Sequence, residues 1–466
     1  MPPEVRARRL GRLSTEERVR AVFDDGVCAE CALGFTAEDR EALAKDGFYA
    51  VSGRVGGREA LVLATDYRVD RGTLGVSVCR ASVEALTRAA QLGTPTVLLL
   101  DSDGVRLSEG EPAMLGVADL LGTLAEVAGR MPVVAVVFAV ASGAAAYAAA
   151  LADFTIAVDE RAFAFVAGPG VVRVALGREP SLSELGGTRL HMEQSGLVQL
   201  AARDDRHAID LARGVLGYVP EQRVGAAREA RVHAPREPAV RLAAGLLPSD
   251  RSRPYDVHPL IHALVDEGSF LELGERFGPS VRTGFARLQG APVGLVASQP
   301  ACLSGAIDAD ASQKLARFVR YCAAFGLPVV TLADTPGFLP GPASERARIL
   351  IHGAKVIAAY AEARGQVPLV ALIVRRAAGG GAVLALGADT ILGLPGYELI
   401  SMSERAAATL GEPAGDASMD AGVTNTRRVH EVSLADARAA VLKALAADPT
   451  PPPTSRGPRR VRLTPL

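Results

Sequence analysis

PVVAVVFAVASGAAAYAAALAD, residues 132–153, lies without a gap over PLVALIVRRAAGGGAVLALGAD, residues 368–389. Gly143 falls on Gly379 and Asp153 on Asp389, a shift of 379 − 143 = 236 positions. In each stretch a proline opens an apolar, β-branched run of strand length, small residues break it, and an Ala-rich segment follows. That order reads as buried strand, tight turn and buried helix. The first stretch is uncharged and long enough to span a bilayer. Its Ser142-Gly143 break argues against a membrane span, as do Arg375 and Arg376 in its counterpart, because charges at a bilayer centre are costly.

The correspondence continues upstream. SVEALTRAAQLGTPTVLLLDSDG (82–104) matches ASQKLARFVRYCAAFGLPVVTLADTPG (311–337), with Pro95 on Pro328 and Asp101 on Asp334, 334 − 101 = 233 positions apart. Before these, GFYAVSGRVGGREALVLATDY (47–67) matches TGFARLQGAPVGLVASQP (283–300). The helix-like RVRAVFDDGVCAECALGF (18–35) matches LIHALVDEGSFLELGERFG (260–278). VEALTRAAQLG and KLARFVRYCAAFG have helical spacing, and each ends at a glycine before an X-Pro that starts a strand. Apolar strand-length runs alternating with helices predict an α/β fold, here two copies of one plan. The expected organisation is a first domain over 1–225, a charged, Pro-containing linker over 226–254, a second domain over 255–447 and a flexible tail over 448–466.

Composition bounds the function. With 466 residues, 49% hydrophobic and 22% charged, the chain is globular. Its 51 basic and 52 acidic residues leave a net charge of −1, which implies no nucleic-acid partner. Cys28, Cys31, Cys79, Cys302 and Cys322 make no disulfide framework, and the first twenty residues are Arg-rich without an apolar core, so no secretory signal is read and a cytoplasmic location is expected. Cys28 and Cys31 form a CxxC with no second pair, and the repeat places Ser269 and Glu272 at the matching positions, so zinc is not expected. DSDG (101–104) resembles the start of a calcium loop, but Pro112 stands where its glutamate belongs. No metal is expected in this chain. There is no GxxxxGK[ST] and no GxSxG, which argues against P-loop nucleotide binding and an α/β-hydrolase. His191 and His352 are isolated and read as structural.

The chemistry is expected at the two turns, Ser142-Gly143-Ala144-Ala145 and Gly379-Gly380-Gly381-Ala382. Small residues let a ligand approach the backbone, and the first-turn N–H groups of a helix point at whatever negative oxygen lies before them. Such a turn can serve as an oxyanion hole made without side chains. A tight packing corner is the alternative for either turn taken alone. Gly143, Ala144, Gly380 and Gly381 are the candidate catalytic positions. DTPGFLPG (334–341) reads as a stiff loop at a strand's carboxyl end, where open α/β sheets place ligands.

Four further stretches carry a family resemblance: GPGVVRVALGREPSLSELGGTRLHMEQSG (168–196), RPYDVHPLIHALVDEGSFLEL (253–273), GAIDADASQKLARFVRYCAAFGLPVVTLADTPGFLPG (305–341) and IHGAKVIAAYAEA (351–363). Over residues 15 to 445 the chain resembles the carboxyltransferase (β) subunit of biotin-dependent acyl-CoA carboxylases, of the propionyl-CoA carboxylase type. The resemblance implies a tandem of two crotonase-like domains that moves a carboxyl group from carboxybiotin to the α-carbon of an acyl-CoA. Negative charge would develop on the thioester oxygen and on the biotin ureido oxygen, each needing N–H donors. It implies that the first domain mainly binds CoA and the second mainly biotin, with Ser142, Gly168, Pro169, Gly379, Ala382 and Val383 lining the substrates. A homo-oligomer such as a hexamer, in which the two kinds of domain meet across a subunit interface, is implied as well.

This chain departs from its relatives at several positions. Ala144 follows Gly143 where relatives have paired glycines, so a methyl narrows the first hole. Val383 replaces an aspartate that helps set acyl selectivity, leaving the acyl group open. Arg80-Ala81 replaces a Glu-Lys pair, and a helical insertion is missing between 405 and 422. None of Lys45, Lys314, Lys355 and Lys443 has the Met-Lys-Met setting of a biotinylated lysine, so biotin is expected on a partner, a biotin carboxyl carrier protein served by a biotin carboxylase subunit. Two other readings stay open: a biotin-independent decarboxylase or acyl transferase acting on a malonyl-type thioester, and a catalytically silent scaffold.

Overall fold

Each apolar run of the repeat forms a strand because both of its faces are covered, and each amphipathic run between them forms a helix laid over the sheet. The computed structural model describes residues 12–26, 35–220, 247–248, 250, 253–401 and 429–447. Cys28 and Cys31, most of the 226–254 stretch, the 405–422 region and the 448–466 tail lie outside the described residues. The chain divides into two compact units, one running to Val219 and one starting at Pro220.

The N-terminal unit carries β1 (Phe48–Val55), β2 (Arg58–Thr65), β3 (Thr96–Ser102), β4 (Val133–Ser142), β5 (Phe154–Val158), β6 (Phe163–Phe165) and β7 (Leu200–Ala202). Its sheet order is β1-β2-β3-β4-β5-β7, with β6 pairing the end of β4. The β1–β2 hairpin is antiparallel and the other pairings are parallel. Helix Val76–Leu92 buries Val78, Ala85 and Leu86 and stops at Gly93, whose φ of 67° is left-handed as a helix C-cap requires. Leu61, Leu63, Leu86, Leu98 and Val137 belong to one core cluster. Full burial of a side chain of this size stabilises by about 1.5–3 kcal/mol.

The second unit repeats the plan with β8 (Leu271–Leu273), β9 (Val281–Leu288), β10 (Ala291–Ser298), β11 (Val329–Thr335), β12 (Leu369–Ala378), β13 (Thr390–Gly393), β14 (Glu398–Ile400) and β15 (Val429–Glu431). The order is β15-β13-β12-β11-β10-β9-β8, with β14 on the end of β12. Helix Ala309–Ala324 begins at Asp308, whose side chain accepts from the Ala311 N–H, and buries Leu315, Phe318, Val319 and Cys322. No described helix is long and apolar enough to cross a membrane.

Two expectations need correction. Among the described residues, the helix-like segments 18–35 and 260–278 contain only short α-helices, Thr15–Val22 and His258–Leu264. The first ends where Phe23 turns extended, and the second stops at an extended Val265 and passes into β8. The turn after β12 leads into a 3-10 turn, Gly379–Ala382, and a single α-helical turn, Val383–Leu386, rather than a full helix. Three consecutive glycines favour no regular helix, and Gly387 follows at once.

Candidate active site

β4 ends at Ser142, and Gly143 turns the chain with φ 52° and ψ −115°, a conformation that penalises any Cβ, before helix Ala144–Leu151 begins. The Gly143 N–H donates to the Phe165 carbonyl at 2.9 Å, tying the turn to the end of β6. The Tyr147 N–H closes the first helical turn on the Gly143 carbonyl at 3.0 Å. Ala144 and Ala145 hold the next two amides; first-turn amides have no acceptor within their own helix. Three residues beyond Phe165, Gly168 and Pro169 open helix Pro169–Leu176, which has no buried residue. Ser142, Gly143 and Ala144 thus lie together, with the Gly168-Pro169 segment leading away from the strand that anchors them.

The second corner repeats the first. Gly379 also has φ 52°, directly after the end of β12. Gly380 is exposed, and Gly381 and Ala382 are buried, followed by a half-buried Val383. Each corner is backed by a glycine of the loop after the preceding strand. A Cβ on Gly104 (φ 91°) would stand 2.6 Å from the Ser142 carbonyl oxygen and 3.6 Å from the Ala144 nitrogen. A Cβ on Gly337 (φ 117°) would stand 3.1 Å from the Ala378 oxygen and 3.8 Å from the Gly381 nitrogen. The Phe338 ring lies beside both Gly380 and Gly353: a Cβ added to Gly380 would stand 2.6 Å from it, and one added to Gly353 would stand 3.2 Å from it.

Gly337 and Phe338 lie in the DTPGFLPG loop expected near a ligand, although neither is named from the sequence as an individual site residue, and Gly104 reads there only as part of the calcium-like DSDG. A signal for the two glycines was present: both stand three residues after the repeat-related Asp101 and Asp334, as D-x-x-G at the end of a buried strand. Asp101 and Asp103, which begin the calcium-like DSDG, are each paired with arginine, Asp101 with Arg18 and Asp103 with Arg71. His191 donates from Nε2 to the Ala164 carbonyl at 2.7 Å, and burial holds its pKa below the ordinary value. His352 packs its Nδ1 away from any hydrogen-bond partner among the described residues.

The C-terminal unit holds a separate charged cluster. His258 bridges Asp256 (2.7 Å) and Glu272 (2.8 Å), and Glu272 also receives Arg282 at 3.1 Å. Burial opposes the charge on His258, but the hydrogen bonds it donates to Glu272 and Asp256 outweigh it and raise the pKa above the ordinary value.

Each corner thus presents main-chain amides and small residues, with no catalytic side chain among the corner residues themselves. The family described as the carboxyl transferase domain matches residues 6–394. The propionyl-CoA carboxylase beta chain of Saccharopolyspora erythraea is 35% identical over 419 residues, covering 86% of this chain and 76% of the relative. The methylmalonyl-CoA decarboxylase subunit alpha of Propionigenium modestum is 32% identical over 410 residues, covering 86% and 79%. A crystal structure of transcarboxylase 12S, described as a hexamer assembly with hydrolysed methylmalonyl-coenzyme A bound, superimposes with a TM-score of 0.83 at 29% identity over 97% of this chain and 93% of the other. The shared fold is a crotonase-like double domain. The chain therefore belongs to the carboxyl transferase family, as a carboxyltransferase of the propionyl-CoA carboxylase type.

Proposed function

We propose that this chain is the carboxyltransferase subunit that moves a carboxyl group from carboxybiotin to the α-carbon of a short acyl-CoA, with one backbone corner for each oxygen that gains charge. The observation that carries this reading is the identity of the two corners: Gly143 and Gly379 share φ 52°, and each is backed by a left-handed glycine, Gly104 or Gly337. Donors fixed in a folded backbone need no reorganisation when charge appears, which is the condition for electrostatic catalysis.

In this reading the Ala144 amide holds the thioester oxygen as the enolate forms, lined by Ser142, Gly168 and Pro169; the expectation that Gly143 donates as well is corrected, because its N–H is spent on the Phe165 carbonyl and it serves to make the turn. Gly380 and Gly381 hold the ureido oxygen of biotin, beside Gly379, Ala382 and Val383. The second corner fits that group, because Gly380 is exposed and brings no side chain of its own between its amide and a ligand. When bound, carboxybiotin supplies the activated carboxyl group. Biotin is to arrive on a partner carrier protein charged by a biotin carboxylase, since none of the chain's four lysines has a biotinylation setting.

Self-assembly into a homo-oligomer, such as a hexamer, is part of the proposal. Met114 and Leu115 on helix Gly110–Val127, and Leu350 and Ile351 on helix Ile349–Ala363, are more than half exposed at positions 236 apart, since 350 − 114 = 236. An apolar face repeated on matching helices suits burial against another copy. The buried or half-buried free thiols Cys79, Cys302 and Cys322 suit a cytoplasmic location.

The test is carboxyl transfer run in reverse, from methylmalonyl-CoA or malonyl-CoA to free biotin. Turnover that requires biotin supports the reading; inactivity with every short acyl-CoA overturns it. The Ala144 methyl and the decarboxylase subunit among the relatives favour one second reading, loss of CO2 from the same thioesters without biotin, which avidin would leave unaffected.

A further inference from the structure

The strands that end in the two corners slip register at the same place. β3 and β4 pair in step up to Leu100 with Val137 and resume at Ser102 with Ala141, so Asp101 alone faces Phe138, Ala139 and Val140. β11 and β12 pair up to Ala333 with Ile373 and resume at Thr335 with Ala377, leaving Asp334 opposite Val374, Arg375 and Arg376. A bulge bends its strand and re-aims the residues beyond it. Here each bulged strand then takes a new neighbour, β6 at Val140–Ser142 or β14 at Arg376–Ala378, and the corner glycine is the next residue. The aim of the corner amides is therefore set at the bulge.

Both facing aspartates are buried, Asp101 at 8% and Asp334 at 2% exposure. Each meets a guanidinium stacked on an aromatic ring. Arg18 Nη1 lies 3.4 Å from Asp101 Oδ2, with the guanidinium 4.0 Å over the Phe138 ring. Arg375 Nε donates to Asp334 Oδ2 at 2.6 Å, with its guanidinium 4.6 Å over the ring of Tyr255, whose hydroxyl donates to the same oxygen at 2.9 Å. Burial raises the Asp334 pKa, and Arg375 and the Tyr255 hydroxyl work against it.

The contributors are exchanged between the units. In the first, the arginine comes from helix Thr15–Val22, ahead of the sheet, and the ring from the bulged strand. In the second, the arginine comes from the bulged strand and the ring from the segment ahead of helix His258–Leu264. A contact merely inherited through duplication would keep equivalent positions, yet the counterpart of Arg375 is Ala139. The same clamp made from non-equivalent residues locates the requirement at the bulge itself.

We propose that Asp334, Arg375 and Tyr255 are positioning residues for the second corner, clamping the β12 bulge so that the Gly380 and Gly381 amides point at the ligand oxygen. This rests on the reading of that corner as an oxyanion hole. The ion pair joins β11 to β12 across the irregular register, while the Arg375 Nη1 reaches the Arg253 carbonyl at 2.9 Å and fixes the guanidinium from a third side. Freed from the clamp, the bulge relaxes and the amides lose their aim, which lowers the rate without altering how CoA is held.

The full chain is assayed for carboxyl transfer from methylmalonyl-CoA to free biotin as wild type, Tyr255→Phe, Arg375→Lys and Gly380→Pro. Tyr255→Phe keeps the ring stack and removes one hydroxyl. It is expected to lower kcat ~10-fold with KM for the acyl-CoA unchanged and the thermal midpoint moved by less than about 2 °C. Arg375→Lys keeps the charge but loses the planar fork and is expected to lower kcat ~100-fold. Tyr255→Phe at wild-type kcat, or losing activity only in proportion to folded protein, overturns the clamp provided Gly380→Pro abolishes transfer. A rise in KM alone overturns it too. Gly380→Pro transferring at the wild-type rate instead overturns the oxyanion-hole reading, and the clamp with it. Should Arg375→Lys fail to fold, Tyr255→Phe decides.

Discussion

Gly337 and Gly381 touch backbone to backbone: a Cβ added to Gly381 would stand 2.7 Å from the Cα of Gly337 and 2.9 Å from the Thr335 Cγ2. No flexible side-chain end is available to yield, so the loop after β11 and the corner after β12 must part. Gly381→Ala is expected to cost about 1–3 kcal/mol of stability and to lower kcat by roughly 100-fold. Urea denaturation alongside the reverse-transfer assay reads both. A variant with native stability and full activity would show that the interlock does not set the corner.

At the first corner the substitution runs the other way. Ala144 is buried at the position matching Gly380, and its methyl narrows the approach to the amides. Ala144→Gly is expected to raise kcat/KM several-fold while costing about 1 kcal/mol for glycine in a helix. An unchanged kcat/KM across acyl-CoAs of increasing size would mean that the methyl does not face the ligand.

Asp205 has no exposed surface, and it accepts from Arg18 Nε at 2.9 Å, from the Leu13 N–H at 3.0 Å and from Arg161. Asp205→Asn leaves a neutral amide beside the guanidinium groups of Arg18, which keeps Asp101, and Arg161. A loss of about 3–5 kcal/mol is expected in chemical denaturation of the full chain. A loss below about 1 kcal/mol would mean that solvent replaces the carboxylate at little cost.

His258 couples stability to pH. Its folded pKa lies above the ordinary 6.5, so the folded state binds the proton more tightly than the unfolded chain. The stabilisation is complete below pH 6.5 and is lost as pH rises through the raised folded value. The stability difference between wild type and His258→Gln, measured from about pH 6 to about pH 9, is expected to shrink as pH rises. A difference that grows over that range contradicts the assignment.

The duplicated plan was legible because a buried parallel strand must be apolar throughout, and two such runs followed by small residues align without gaps. The corner glycines could be read because a left-handed turn directly after a strand favours glycine, as at Gly143 and Gly379. The clamps at Asp101 and Asp334 were not legible, although the aspartates themselves align. Their partners Arg18 and Arg375 occupy unrelated positions in the two copies, and alignment finds only what is equivalent. The absence of a full helix after Gly379 was hidden as well, because the apolar run VLAL suggests a longer element than the flanking Gly387 allows.

The exchange of arginine and ring between the two clamps makes the halves unequal in how they can be undone. In the C-terminal half the cation travels on the sheet, so nothing short of unfolding removes it. In the N-terminal half it sits on helix Thr15–Val22, held there by Asp205, so if the first bulge is clamped as proposed for the second, loss of that helix would loosen the first corner and leave the second set.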